Sequence, residues 1–367
     1  MLTELQLKNF RCFESLSVRL NPRFNFFVGP NGEGKTSILE AACVLLRLQS
    51  QRSSSLAPLT RVGAKSFSVA GNYDGHWLRF NYGELRRRLE FDGVEQRTST
   101  EYLRLARVVW FANTDIELIR GSGEPRRRYV DFVGSQMDPK YRTTLRAYER
   151  AVRSRNALLK NTPVRSREIA AYDLPLIEHG TRLHRMRAGL ISQLGPLTSA
   201  AYAEISDSKE RVDVFYAPGN EEDFAADLAR TQAEQMRLRQ TVVGPHRDDL
   251  DLFVDGMPAQ VYASEGQQRS LALALKLAQA RLFGESGSIA LLLIDDIFGE
   301  LDETRRTRLF GALPEAQALV TSTSPKWPDG LGEHVTFHLR DRQLSSTATG
   351  MVEPINSEPF HQRNLDR

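Results

Sequence analysis

An α/β fold interrupted by a helical lobe is what the sequence predicts, and three observations predict it. A short β-favouring apolar run, Arg23 to Val28, passes through a glycine-rich turn into a helical pattern beginning at Ser37. A second apolar run, Ile289 to Ile294, ends in two aspartates, as a buried parallel strand does when it delivers polar groups to a sheet edge. Between these stretches the hydrophobic spacing changes to the 3-and-4 alternation of helices.

In chain order, MLTELQLKNF reads as the start of a strand; it lacks the basic and then apolar regions of a signal peptide. Helix is expected from Ser37 to Leu48. Phe67 to Ala70, Trp77 to Phe80 and Arg88 to Phe91 are separated by turn residues such as Gly71-Asn72 and Asp74-Gly75, and form an expected antiparallel β layer. Val108 to Phe111 is a further strand. From about Met137, Tyr141, Leu145, Tyr148, Val152 and Leu159 make one helical stripe, broken by Arg155. Ile169, Tyr172, Leu176, His179, Leu183, Met186 and Leu190 make another, with a turn at Asn161-Thr162-Pro163 between them. Two antiparallel helices of roughly three heptads each would bury both stripes in a short coiled coil and leave the arginines outside. A longer helical segment is expected to end near Gln240. Beyond it come a strand at Leu250 to Val254, a helix from Ser264 to Phe283, the strand Ile289 to Ile294 and a strand at Ala318 to Thr321. From Ser345 the sequence is polar and aperiodic and is expected to lack structure. The expected units are therefore a discontinuous α/β lobe (1–117 and 241–350), a helical lobe (118–240) and a polar tail (351–367).

Composition narrows the class. With 41% hydrophobic and 26% charged residues the chain can bury a core, so disorder throughout is excluded. The run Ile289 to Ile294 is far shorter than the roughly 20 apolar residues a membrane helix needs, so no span is expected. Cys12 and Cys43 imply no disulfide framework, and a cytoplasmic location is the simplest expectation. The net charge of +3 is too mild to argue for nucleic acid, but its distribution is uneven. Arg120 to Arg187 holds 16 Lys or Arg against 7 Asp or Glu, so this one segment carries the positive field.

Gly29-Pro30-Asn31-Gly32-Glu33-Gly34-Lys35-Thr36 fits GxxxxGK[ST] between an expected strand and an expected helix, the context of a P-loop. Its glycines let the backbone approach phosphates, Lys35 would reach the β and γ phosphates of ATP, and the Thr36 hydroxyl would ligate Mg²⁺. At the end of the second apolar run Asp295 would hold Mg²⁺, directly or through water. Asp296 is placed to orient or deprotonate an attacking water. Many such ATPases carry Glu there, and the shorter Asp leads us to expect slow hydrolysis.

Ser264-Glu265-Gly266-Gln267-Gln268 precedes the long helix, and Ser264 with Gln267 makes a capping box. It lies about 30 residues before the second apolar run, and Glu300-Leu301-Asp302 follows Asp295. Together with the P-loop, this segment resembles the signature motif of ABC-type ATPases, where Ser264, Gly266 and Gln267 would contact the nucleotide held by another copy. The opening LKNFRCFESLSVRL, the loop GPNGEGKTSILEA, FANTDIELIRGSGEPRRRYVD (111–131), VGPHRDD (243–249) and YASEGQQRSLALALKLA then resemble bacterial RecF recombination and repair proteins from end to end.

That resemblance implies an ATP-dependent homodimer, weak DNA-stimulated ATP hydrolysis, binding of double-stranded and gapped DNA, and RecO and RecR as partners in loading RecA during repair, replication restart and the damage response. It places Arg11 near the nucleotide. Arg126, Arg127 and Arg128 match an arginine run that would contact DNA or anchor the lobe, and DNA is the slightly favoured reading. In the GPHRDD segment, His246 is expected in a turn stabilised by Asp248 and Asp249. Three departures from the pattern stand out. Asn113 and Gly123 replace residues that are commonly Pro. No Gln lies within 111–117, which leaves Asn113, Thr114 or Asp115 to sense metal or water. Thr321-Ser322-Thr323 occupies the place of a transporter's switch histidine. The alternatives weighed are another head of the SMC or Rad50 kind, which would carry a far longer coiled coil, a transporter subunit, and a small-molecule kinase, which would have no use for the SEGQ segment.

Overall fold

Alternating apolar and polar residues open the chain as a hairpin, β1 (Leu2–Phe10) and β2 (Phe13–Arg19), and the apolar β3 (Phe24–Val28) leads through the glycine loop into α1 (Lys35–Arg47). This computed structural model describes residues 1–348 except 54, 84–85, 163–165, 207–208, 222, 326 and 328–330. Then follow β4 (Ser66–Tyr73), β5 (His76–Gly83), β6 (Arg87–Phe91), β7 (Val94–Glu95) and β8 (Arg107–Ala112). The helices α2 (Glu117–Arg120), α3 (Gly123–Met137), α4 (Pro139–Leu159) and α5 (Ser166–Ser206) come next, followed by β9 (Val212–Ala217), α6 (Phe224–Arg230) and α7 (Gln232–Leu238). The chain continues through β10 (Asp249–Val254), β11 (Met257–Pro258), α8 (Ala259–Tyr262), α9 (Glu265–Glu285) and β12 (Ala290–Asp295). It closes with α10 (Glu303–Ala312), β13 (Ala318–Ser322), β14 (His334–Arg340) and β15 (Gln343–Ala348).

The described residues form three sheets. The central one runs β15-β14-β3-β13-β12-β8, parallel except for the β14–β15 hairpin. The expected antiparallel layer is present as β2-β1-β4-β5-β6-β7. A third, smaller sheet joins β11, β10 and β9. Helix α1 lies between the first two sheets, and its side chains are buried almost all round, from Ile38 to Leu46. Strand alternation divides the central sheet between two cores. Phe27, Trp110, Leu293 and Leu319 face α1, whereas Phe26, Phe111, Ile294 and Val320 face α9.

The helical region departs from the two equal helices expected. Helix α4 has 21 residues, three heptads, but α5 runs for 41 residues through Pro175 and Pro196. Its first half packs Leu176 and Leu183 against Tyr141, Tyr148 and Ala151 of α4, while Leu190, Leu194, Tyr202 and Ile205 of its second half join the core containing α9. One helix thus ties the arm to the parallel-sheet core. The continuous helix expected toward Gln240 is corrected: β9 interrupts it and pairs antiparallel with β10, register Val214↔Leu252. A strand of six residues between helices offers too few periods to stand out. The structureless stretch expected from Ser345 is likewise corrected, because β15 pairs along β14 through its backbone, which asks little of side chains. Pro163 of the expected turn and the tail 351–367 lie outside the described residues.

The arginines are not all outside. Arg155 is 2% exposed and pairs with Asp173 at 2.8 Å; Arg187 is 3% exposed and pairs with Asp131 and Asp248 at 2.9 and 2.7 Å. A buried guanidinium is tolerated because these carboxylates, together with the Pro245 carbonyl on Arg187, satisfy its fixed fork of donors.

Candidate functional site

Strand β3 ends, the chain turns at Gly32 (φ 87°) and Gly34 (φ 106°), and α1 begins at Lys35. Both angles lie where a Cβ is strained. At Gly34 a Cβ would also meet the Cys12 sulfur at 2.5 Å and the Phe13 ring at 2.8 Å, so only glycine fits that turn. Gly29 is constrained differently, since a Cβ there would lie 2.2 Å from the Leu339 carbonyl oxygen on β14. The loop holds Lys35 Nζ over its own backbone, donating to the carbonyls of Gly29 at 2.7 Å and Pro30 at 2.8 Å. Burial pushes the Lys35 pKa below its ordinary value, while Asp296, Asp295 and Glu33 act to raise it.

Next to the lysine, Thr36 Oγ1 donates to Asp295 Oδ1 at 2.7 Å, and Thr321 Oγ1 donates to the same oxygen at 2.8 Å. The Thr-Ser-Thr segment at the end of β13 therefore supports the aspartate through Thr321. Asp296 sits in the left-handed region (φ 50°); its N–H donates to Thr321 Oγ1 at 3.0 Å and its carbonyl accepts from Asn113 Nδ2 at 2.9 Å. Burial and then Asp295 raise the Asp296 pKa, with Lys35 opposing them. Of the three residues left to replace a glutamine, Asn113 is the one that touches this turn. Asp115 is occupied elsewhere: it accepts from the Ala112 N–H at 2.7 Å and pairs with Lys276 of α9 at 2.9 Å.

These groups open onto a cleft of about 660 Å³ lined by Asn31, Gly32, Gly34 and Thr36 of the loop. Among the described residues that line it, Lys35, Arg11, Arg52, Arg61 and Arg342 bring five cations and Asp296 one carboxylate, and Arg61 also pairs with Glu14 at 3.3 Å; the excess of cations suits a polyphosphate. Arg11 is held in place by a bidentate pair with the buried Glu40, at 2.7 and 2.9 Å. Sequence reading missed Arg52, Arg61 and Arg342, which reach the cleft from loops far apart in the chain and carry no local pattern.

The signature segment is built as its sequence implies. Gln267 N–H donates to Ser264 Oγ at 3.3 Å, and Gln267 Oε1 accepts from the Ser264 N–H at 2.6 Å, capping α9. Arg269 then bridges Glu265 at 2.8 Å and Glu300 at 2.7 Å, tying this helix to the turn after β12. Within one chain, however, Ser264, Gly266 and Gln267 do not line the cleft that contains Lys35. Ser264 is exposed to solvent instead.

The arginine run divides. Arg126 is 6% exposed, grips Asp249 at 2.6 and 2.8 Å and donates to the carbonyls of Leu118 and Gly121, which corrects the favoured reading of it as a DNA contact. Arg127 donates to the Asp248 carbonyl at 2.7 Å, and Arg128 is exposed. His246 lies in a short helical turn, as expected, and contacts Tyr148 at 2.7 Å and the Thr241 carbonyl at 2.9 Å. Asp248 accepts from the Gly219 N–H at 2.8 Å as well as from Arg187.

A P-loop beside a hydroxyl–carboxylate pair, a parallel sheet flanked by an antiparallel layer, and a capped signature helix define an ATPase head of the ABC type. Residues 1–335 match the family described as RecF/RecN/SMC N terminal domain. The chain belongs to the RecF family. A "DNA replication and repair protein RecF" of Symbiobacterium thermophilum is 34% identical over 364 residues, covering 92% of this chain and 96% of that protein. One of Bacillus cereus is 31% identical over 373 residues, covering 96% and 98%. Among solved structures, one described as recombination mediator protein RecF-ATPrS in the RecFOR pathway superposes with a TM-score of 0.85 at 27% identity, covering 95% of this chain and 98% of that one. An SMC head bound to the C-winged helix domain of ScpA shares the fold at a TM-score of 0.57 and 16% identity. No helix among the described residues is long and apolar enough to cross a membrane.

Proposed function

We propose that the protein is an ATP-gated, DNA-binding switch of recombinational repair that works as a dimer. The observation that carries this reading is the hydrogen bond between Thr36 and Asp295 beside Lys35, facing the cation-lined cleft. A hydroxyl and a carboxylate in contact are the donor set for Mg²⁺ on a nucleotide, which would supply charge neutralisation at the phosphates. Lys35 and the turn Gly29 to Thr36 bind the phosphates, Arg11 borders them, and Asp296 holds the attacking water. Solved relatives are described as RecF-ATP and RecF-ATPrS, which favours ATP as the nucleotide here.

The signature supports the dimer. Its capped helix end carries partial positive charge and an exposed Ser264 remote from its own cleft, so Ser264, Gly266 and Gln267 act on the nucleotide of a second copy. ATP then joins two heads, and slow hydrolysis through the short Asp296, stimulated by DNA, releases them. The ligand is double-stranded and gapped DNA, with RecO and RecR as partners in loading RecA, in keeping with relatives placed in the RecFOR pathway. The units proposed are the α/β lobe of 1–117 and 241–350 and the helical lobe of 118–240.

The test compares the wild-type protein with Lys35→Met for binding to duplex and gapped DNA, with and without ATP and Mg²⁺, while light scattering follows dimerisation. ATP should drive both dimerisation and DNA binding in the wild type and neither in the variant. Identical binding by the two proteins would show that ATP does not gate DNA.

A further inference from the structure

Arginines gather where α1, β8 and α4 meet, and none of Arg47, Arg107, Arg142 and Arg146 has a carboxylate partner among the described residues. Arg47, 3% exposed, donates to the carbonyls of Leu103 at 2.8 Å and Ala106 at 2.9 Å. Arg107 donates to the same Ala106 carbonyl at 3.4 Å, so the two guanidinium groups share one acceptor. The Nε atoms of both are buried without a partner. Burial and then Arg107 hold the Arg47 pKa down to about 9; burial and then Arg146 hold that of Arg142 down to about 10. Such clustering of like charge is unfavourable until an anion arrives.

The cluster continues as a stripe along α4. At about 100° per residue, Arg142, Arg146, Arg150 and Arg153 fall within one sector of the helix, away from the seam of Tyr141, Tyr148, Ala151 and Leu159. Arg146 and Arg150 are exposed; of these four only Arg153 is ion-paired, to Glu149 at 3.6 Å, and Glu149 also attracts Arg146. At about 1.5 Å per residue the stripe spans roughly 16 Å, comparable to about five base-pair steps of duplex. Guanidinium forks match phosphate oxygens two at a time. Both tyrosines of α4 are turned into the seam, which leaves this helix without an aromatic platform for unpaired bases and favours the backbone of a duplex.

We propose that Arg107, Arg142, Arg146 and Arg150 form a track for the sugar–phosphate backbone of duplex DNA, running from the foot of the parallel sheet onto the arm. The proposal rests on the DNA-binding reading above and moves the contact away from Arg126. It is tested by fluorescence anisotropy on a duplex at several salt concentrations, with nucleotide binding measured in parallel. Variants are Arg142→Gln/Arg146→Gln and the single Arg150→Gln, whose exposed side chain can be replaced without disturbing the fold. The double variant should bind duplex at least ten-fold more weakly, with a log–log salt slope shallower by roughly 2 and nucleotide binding unchanged. The single variant should lose about one unit of slope. If wild-type protein binds duplex and both variants match it in affinity and slope, the track is wrong and the DNA-binding reading survives. If wild-type protein binds no duplex in any nucleotide state, both fall.

Discussion

Asn113 Nδ2 donates to the main-chain carbonyl of Asp296 at 2.9 Å and so braces the left-handed turn in which that aspartate sits. A non-glycine residue at positive φ is held by its surroundings, and here the braces are Asn113 on the carbonyl and Thr321 on the N–H. Asn113→Ala should therefore lower kcat for ATP hydrolysis about five-fold, the worth of roughly 1 kcal/mol, with little change in KM. Steady-state kinetics decide it; a rise in KM at constant kcat would place Asn113 in substrate binding instead.

The neighbouring carboxylate sets a pH dependence. A carboxylate that orients or deprotonates water works when ionised, and burial and Asp295 raise the Asp296 pKa above its ordinary 3.8. Hydrolysis should consequently fall as pH drops through that raised value, so the acid limb of kcat/KM lies above 3.8. Asp296→Asn should remove about 10²-fold or more of the turnover and the limb with it, while ATP binding persists. An unchanged pH profile in the variant would assign the limb to another group.

Ser264 offers a way to separate nucleotide binding from dimerisation. Because it lies outside the cleft that holds Lys35, Ser264→Arg should leave the affinity of the monomer for ATP unchanged within about two-fold. The same variant should abolish ATP-dependent dimerisation, since the long cation would occupy the place of the partner's phosphate. Calorimetric ATP titration alongside light scattering tests both halves. Loss of ATP affinity would mean that Ser264 serves its own cleft.

What was legible in the sequence was local. Lys35, Thr36, Asp295 and Ser264 belong to contiguous patterns whose geometry follows from a strand end or a helix start, and each stands where its pattern implies. Contacts closed by the chain over long separations left no such trace. Arg126 meets Asp249 across 123 residues and Arg187 meets Asp248 across 61, so a surface run and a buried clamp look identical in sequence. The length of α5 was hidden for a related reason. Its buried face turns from α4 to α9 after about Met186, so that one stripe ends before the helix does.

The division of the arginine run has a consequence for stability. Removing Arg126 takes the guanidinium partner from the Asp249 carboxylate, which keeps the Leu250 N–H, and strips a donor from two carbonyls, at a cost of about 3 kcal/mol. Arg126→Ala should lower the thermal midpoint by several degrees, whereas the exposed Arg128→Ala should change stability by no more than about 0.5 kcal/mol. Thermal melts of the two variants make the comparison. Equal midpoints would mean that the Arg126 pair does not anchor the lobe.

His246 makes the junction between arm and sheet sensitive to acid. The Thr241 carbonyl can only accept, so Nε2 carries the proton and Nδ1 accepts from the Tyr148 hydroxyl, an arrangement complete in the neutral ring. Burial, the largest influence, pushes the His246 pKa down from 6.5 to about 4. An unfolded chain takes up the proton near 6.5 and the folded one only near 4, so this contribution to stability is full above 6.5 and is lost as pH falls toward 4. Integrated over that window it amounts to roughly 3 kcal/mol. His246→Gln keeps a donor toward Thr241 but removes the titration. Between pH 7 and pH 4.5 the melting temperature of the wild-type protein should therefore fall more steeply than that of the variant, and parallel curves would assign the acid sensitivity to other groups.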